Sequence, residues 1–329
     1  MTAAQTLTVS GDEAELRLDR WFKRRFPALG HGRLEKLLRT GQVRVDGKRA
    51  KASLRLVPGQ QIRVPPGAAA PAPEGAKPAR PAVSASDADF VRSLVIYQDD
   101  DVLVIDKPAG LAVQGGSGTE RHLDAMLDAL SLGASDRPRL VHRLDRDTSG
   151  VLVLARNTKA AAELTAAFRS KAARKVYWAA VAGAPPRAEG EIALALTKAS
   201  GPGGERMIAV EEGGRRAVTR YRVVVRAGRR VSWLALEPLT GRTHQVRVHC
   251  AALGTPVVGD GKYGGPAARL GGASFARRLH LHARAIRIPR PDGTVIEVTA
   301  PLPEHMRATW RFLGFDETEA GNPFADEGG

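Results

Sequence analysis

The densest group of reactive side chains in the chain is HRLDRDTSG, residues 142–150. It sets two carboxylates, Asp145 and Asp147, among His142, Arg143 and Arg146, with Thr148 and Ser149 alongside. A carboxylate at a strand end, kept ionised by nearby arginines, can act as a nucleophile. The same two acids also invite a paired-carboxylate reading of the glycosidase kind. Residues two apart in an extended segment share a face with only modest spacing, however, and a basic chain favours nucleic acid over neutral sugar. An ordinary Asx or Ser/Thr turn accounts for these residues equally well. Spacing alone does not choose among the three.

Other chemistries have less support. The chain has no GxxxxGK[ST] loop, HExxH, CxxC or GxSxG, which disfavours nucleotide hydrolysis, zinc chemistry and an α/β-hydrolase site. GDGKYG, from Gly259 to Gly264, fits GxGxxG but follows only a short PVV and runs into GPAARLGG, so it reads as a loop. His280 and His282 alternate in RLHLHA without a third ligand at suitable spacing, which points to packing or RNA contact and not to a metal. The single cysteine, Cys250, excludes an intrachain disulfide and reads as a buried, inert thiol. In KPAGLAVQGGSG, Lys107 and Pro108 shape the end of a strand, and Gly115, Gly116 and Gly118 permit a tight loop.

The elements that must position these residues are mostly strands. DVLVIDKP reads as a buried strand, and RLVHRL and VLVLAR read as strands meeting at DRDTSG. NTKAAAELTAAFRSK is a helix capped by Asn157 or Thr158, with Ala161, Leu164 and Phe168 at helical spacing. VYWAAVAG is β-rich, and AVTRYRVVVR and VSWLALEPL flank AGR as a hairpin. HQVRVHCAALG is helical and ends on Gly254; ARAIRIP and TVIEVTAP add strands, and PEHMRATWRFLGF a last helix. Strands outnumber helices without regular alternation. The expected class is α+β, with a mainly antiparallel mixed sheet and flanking helices, over residues 87–318. Residues 319–329 are expected to be a disordered tail.

Upstream, residues 67–86 are almost all Ala, Pro, Gly and Ser and read as a linker. Residues 1–66 form a small α/β unit carrying 14 Lys or Arg against 6 Asp or Glu, which is +8 of the chain's +15. Leu18, Trp21 and Phe22, then Leu34, Leu37 and Leu38, recur at helical spacing, and Arg33, Lys36 and Arg39 fall mostly off the second apolar stripe. Asp46-Gly47 marks a hairpin, and VPGQQIRV adds a turn and a strand. A pI near 10.5 favours phosphate-rich partners. No apolar run approaches the ~20 residues of a spanning helix, and the polar start has no secretory profile, so a cytoplasmic, membrane-free monomer is expected.

Two resemblances extend this reading. LRLDRWFKRRFP followed by GRLEKLLRTGQVRVDGKRAKASLRLVPGQQIRV resembles the alpha-L RNA-binding domain named after a small-subunit ribosomal protein, over Leu16 to Val64. It implies a helix pair offering basic side chains, Arg33, Lys36 and Arg39 among them, to folded RNA. HRLDRDTSG with VLVLARN resembles the nucleophile motif of RluA-type pseudouridine synthases. KPAGLAVQGGSG, RKVYWA, LEPLTGRTHQVRVHCAALGTPVVGDGKYG and RLHLHARAI follow the same family order from Ile96 to about Leu313. The branch implied is the one acting on large-subunit ribosomal RNA, which would be the partner.

That resemblance implies a uridine-isomerising enzyme with no cofactor and no metal. Asp145 would be the nucleophile, Arg247 the basic residue paired with it, and Tyr177 the tyrosine that stacks on uracil and relays a proton. Arg143 would fill the gap left by an extruded base. His142, Thr148, Arg242 and His244 would support the site or contact RNA. Gln114 stands where the family commonly has histidine. A non-catalytic RNA-binding factor and a nucleic-acid glycosylase are the rival classes.

Overall fold

The computed structural model of the chain describes residues 4–66, 82–116, 121–201, 204–271, 275–321 and 323–324. The chain divides into two compact units, residues 1–82 and 83–329.

In the first unit the strands are β1 (Gln5–Thr8), β2 (Arg44–Val45), β3 (Lys48–Arg49) and β4 (Gln61–Val64), and the helices are α1 (Leu18–Arg25) and α2 (His31–Arg39). The sheet is antiparallel in the order β1-β4-β2-β3. Asp46 and Gly47 both take positive φ, 49° and 74°, the pair of conformations a tight two-residue hairpin needs. Leu18, Trp21 and Phe22 of α1 and Leu34 and Leu38 of α2 bury against Val43, Val45, Ile62 and Val64. Arg33, Lys36 and Arg39 remain exposed, as the stripe requires.

In the second unit the elements are α3 (Ala85–Ser93), β5 (Val95–Gln98), β6 (Val102–Lys107), α4 (Leu123–Met126), β7 (Arg139–Leu140), β8 (Ser149–Ala155), α5 (Thr158–Ser170), β9 (Arg174–Ala182), β10 (Glu189–Gly201), β11 (Gly204–Val210), β12 (Arg215–Ala227), β13 (Val231–Pro238), α6 (Gln245–Ala252), β14 (Leu281–Pro289), β15 (Val295–Thr299) and α7 (Glu304–Leu313). They build a mixed sheet in the order β11-β10-β12-β13-β9-β14-β8-β6-β5, with β15 on β14 and β7 on β8. This is the expected α+β class. The β12–β13 hairpin, the Asn157 cap of α5 and the end of α6 at Gly254 fall where the residues placed them.

Both faces of the sheet are covered. Along β6 and β8 the side chains alternate: Leu103, Ile105, Leu152 and Leu154 meet Val91 of α3 and Leu123 of α4. Val104, Val151 and Val153 meet Ala160 and Leu164 of α5. Two buried faces explain why these strands read as unbroken apolar runs. On β9 and β13, Trp178 and Trp233 face Trp310 of α7, while Ala179 and Leu234 face Val246 and Cys250 of α6. Burial pushes the Cys250 thiol up to about 12, so it stays protonated.

The two halves of the sheet meet at its one parallel pairing among the described strands, where His282 and Ala283 of β14 lie beside Ser149 and Gly150 of β8. Gly150 has φ 108°, and a Cβ there would lie 2.2 Å from the Ala283 carbonyl oxygen. Only glycine allows the backbones this close. Gly150→Ala is expected to cost about 4 kcal/mol from forced backbone separation and strain. A thermal midpoint within about 3 °C of wild type would show that the seam can open without loss.

Several boundaries differ from expectation. RLVHRL is a strand only at Arg139–Leu140, because the chain then bends into the site. β10 and β11 form a hairpin that the sequence reading passed over; Ile192 of β10 is buried among Tyr221, Leu234 and Leu236, and Leu196 against Ala217 and Val248. The expected linker ends early: Ser84 caps α3 by accepting the Asp87 amide, so Ala85 and Ser86 are helical, while residues 67–81 lie outside the described residues. The segment from residue 319 is not a free tail as far as Phe324. Ala320 and Phe324 bury beside Trp233 and Trp310, and Arg174 donates to the Phe324 carbonyl; residues 325–329 lie outside the described residues.

Histidines fill the interior as neutral groups. His280 and His282 serve packing: His280 Nε2 is 2.8 Å from Thr309 Oγ1, and His282 Nδ1 is 2.9 Å from Ser149 Oγ. Burial holds His249, His280 and His282 down to about 4 and His142 to about 3. In the unfolded chain each takes a proton near pH 6.5, whereas the folded ring refuses it until much lower. The stability they contribute is therefore whole above 6.5 and lost as pH falls toward 4, at about 1.4 kcal/mol per pH unit for each ring. A thermal midpoint at pH 5 at least about 10 °C below that at pH 7.5 is expected; equal midpoints would mean that the folded rings already carry charge.

Candidate active site

The DRDTSG turn closes with the Thr148 amide donating to the Asp145 carbonyl, and β8 begins at once at Ser149. Lys107, at the end of β6 and fully buried, pins this turn from beneath. Its ammonium donates to the carbonyls of Pro108, Leu111 and Arg146 at 2.9, 2.9 and 3.0 Å. Burial lowers its pKa to about 8, against the pull of Asp147, Asp145 and Asp106. An unpaired lysine would be expelled from such a place; three carbonyls and nearby carboxylates retain it.

Asp145 stands on the wall of a cavity of about 1210 Å³. Nine Lys or Arg and two carboxylates line it, so its field favours a polyanion. Tyr177, on β9, lines the same wall; burial and then the charge of Asp145 push its hydroxyl well above the usual phenol range, so it stays protonated. From the other side come the 239–244 loop and α6. Gln245, buried under that loop, uses its whole carboxamide: Oε1 accepts from Thr240 Oγ1 and the Arg242 amide, and Nε2 donates to the Val218 carbonyl and Thr219 Oγ1. A fully satisfied buried amide fixes the loop.

Arg247, on α6, is 7% exposed and forms a bidentate pair with the fully buried Asp260, Nε to Oδ2 and Nη2 to Oδ1 both at 2.8 Å. Asp260 Oδ1 also accepts the amides of Lys262 and Tyr263, so the 259–264 loop wraps one carboxylate. Burial opposes the charge on Arg247, but Asp260, then Asp145 and Tyr263, raise its pKa above the usual guanidinium value. Arg247 also sits over the Tyr263 ring, 5.1 Å from its centre.

The profile of the RNA pseudouridylate synthase family matches residues 101–252, an interval holding Asp145, Tyr177 and Arg247. RNA pseudouridine synthase 4, mitochondrial, of Arabidopsis thaliana is 35% identical over 92% of this chain and 80% of its own length. Ribosomal large subunit pseudouridine synthase C of Escherichia coli strain K12 is 34% identical over 93% of this chain and 95% of its own. The chain belongs to the RNA pseudouridylate synthase family. The solved structure of human RNA pseudouridylate synthase domain containing 4 superposes with a TM-score of 0.60 at 27% identity, over 70% of this chain and 98% of that one.

The synthase gathers most, but not all, of the residues its sequence nominated. Asp145, Tyr177, Arg143, His142, Thr148, Arg242, His244 and Arg247 all line the one cavity. Arg33, Lys36 and Arg39 belong to the first unit. One assignment changes and another narrows. Arg247 does not pair with Asp145: its guanidinium is taken by Asp260, and the cation within 4 Å of Asp145 is instead His244, Nε2 to Oδ1 at 3.9 Å, if protonated. His142 is partly spent on the fold: its Nε2 accepts the Val153 amide and its ring stacks on Phe168 at 4.5 Å, which leaves Nδ1 as the ring nitrogen it can offer at the cavity. Arg143 is exposed at the cavity, with Nη1 3.4 Å from Gln114 Oε1. Arg242 donates Nε to the Arg216 carbonyl at 3.3 Å.

The sequence reading passed over Asp260 and Tyr263, which lie in a segment it read as a loop and as the end of a family-like motif, without giving either residue a role. The available signal was an aspartate between glycines directly after buried Val257 and Val258. Gly259 has φ 78°, and a Cβ there would lie 1.9 Å from the Arg278 carbonyl oxygen, so this loop is tightly built.

Proposed function

We propose that the synthase isomerises specific uridines of large-subunit ribosomal RNA with Asp145 as the nucleophile. Asp145 attacks the anomeric carbon of an extruded uridine and breaks its bond to N1; the freed uracil turns and rejoins through carbon five, and this new bond displaces the Asp145 carboxylate from the sugar. Tyr177, next to Asp145, stacks on the base and relays the proton released from that carbon. The observation that carries this reading is a carboxylate on the wall of a basic cavity large enough for a nucleotide, sharing that wall with Tyr177, whose hydroxyl feels its charge. The ribosomal target rests on relatives bearing the name ribosomal large subunit pseudouridine synthase C.

Extruding a base costs a few kcal/mol of stacking, and Arg143 offsets part of it by entering the stack, a role its exposure at the cavity supports. The +8 unit of residues 1–66 docks on folded RNA through Arg33, Lys36 and Arg39. Replacing all three with alanine should leave turnover of saturating RNA intact while lowering the slope of log affinity against log salt by about 2 to 3. An unchanged slope would remove α2 from the RNA interface.

The deciding experiment incubates the purified synthase with a large-subunit RNA transcript. Pseudouridine formed without mass change supports the reading. Free uracil or abasic sites would overturn it in favour of a glycosylase.

A further inference from the structure

His244 is held in a costly backbone conformation that aims its ring at Asp145. Its φ of 53° lies in the left-handed region, and although it precedes α6 its side chain does not cap that helix. The strain is therefore not repaid by capping, and strained residues of this kind gather where geometry serves a site. The ring is fixed from behind: Nδ1 lies 2.7 Å from the Tyr263 hydroxyl, and that hydroxyl accepts the Met207 amide at 3.1 Å. With Met207 supplying a proton to the phenol oxygen, the phenol's own proton is directed to Nδ1. The imidazole proton then sits on Nε2, 3.9 Å from Asp145 Oδ1. That gap exceeds a hydrogen bond by less than an ångström, and such contacts commonly tighten once substrate binds.

We propose that His244 is a positioning residue for Asp145 and that Tyr263 sets its tautomer. Nε2–H holds one carboxylate oxygen so that the other is aimed at the sugar carbon. This role rests on the reading of Asp145 as nucleophile. The groups facing the ring are Asp145 from its turn, Arg247 from α6, and Asp260, Lys262 and Tyr263 from the 259–264 loop. Burial depresses the ring's pKa; Asp145 opposes this, Arg247 and Lys262 add to it, and Asp260 opposes. A neutral ring donates without forming the full ion pair that would blunt the nucleophile.

The test is single-turnover pseudouridine formation on a target transcript from about pH 5.5 to 8.5, a range spanning imidazole titration. His244→Asn, which tolerates the left-handed backbone but falls short of Asp145, should lower kcat about 100-fold with little change in KM. His244→Gln carries its carboxamide nearer to the Nε2 position and should recover about tenfold of that loss. Tyr263→Phe should lower kcat about tenfold and move the acid limb to higher pH, because the lost hydroxyl had favoured the unprotonated ring. Wild-type kcat and pH profile in these variants would overturn the proposal, as would equal losses in both His244 variants with the limb unmoved. If Tyr263→Phe fails to fold, the His244 pair still decides. Asp145→Asn, run alongside, separates the two readings. An active Asp145→Asn removes the nucleophile itself, whereas an inactive one beside wild-type His244 variants removes only the positioning role.

Discussion

Asp145→Asn should abolish pseudouridine formation, with a loss of at least about 10⁴-fold in kcat, while leaving RNA bound. Asparagine keeps the shape of the side chain and one acceptor oxygen, but it has neither the charge nor the nucleophilic oxygen. Binding should hold or tighten slightly, because Asp145 is one of two carboxylates on a wall carrying nine Lys or Arg and its charge repels incoming phosphates. The measurement pairs a filter-binding isotherm with pseudouridine quantification on the same transcript. Parallel losses in both would reassign Asp145 to RNA binding, and activity within about tenfold of wild type would take it out of the chemistry.

The Arg247–Asp260 pair should separate fold from function. Removing one partner strands a charge where Arg247 is 7% exposed and Asp260 not at all, a cost of about 3 to 5 kcal/mol. Arg247→Met or Asp260→Leu alone should therefore lower the thermal midpoint by roughly 10 °C. Asp260→Leu also strands the amides of Lys262 and Tyr263, so it should be the worse of the two. The double variant removes both charges and should recover most of the Arg247→Met deficit, since an apolar replacement of a buried ion pair is often near neutral. Activity should not return, because the positive charge beside Asp145 is gone. A double variant less stable than both singles would contradict the account of the pair, and one with restored turnover would make Arg247 purely structural.

Legibility followed the range of the interactions. Asn157 capping α5, Asp46-Gly47 turning the hairpin and the apolar runs of β6 and β8 are decided within a few residues, and the sequence declares them. Asp145, Tyr177 and Arg247 were legible only as parts of ordered motifs, since nothing local distinguishes a catalytic turn from an Asx turn. The partner of Arg247 was not legible. Both Asp145 and Asp260 were eligible, and the choice depends on how the 259–264 loop returns over α6. The backbone partner of His142 was not legible either, because the register that offers its Nε2 to the Val153 amide exists only once β8 is in place. Phe324 looked like part of a tail because its slot is assembled from Trp233 and Trp310, far back along the chain.

The parallel seam between β8 and β14 also bears on how the enzyme is made. Ser149 and Gly150 lie four and five residues after Asp145, yet their strand partners, His282 and Ala283, come 133 residues later. During synthesis the Asp145 turn emerges long before the strand that braces it, so a nascent or truncated chain ending before β14 lacks the pairing that holds this turn. Activity should therefore appear late and all at once in refolding, after the slow closure of this long loop.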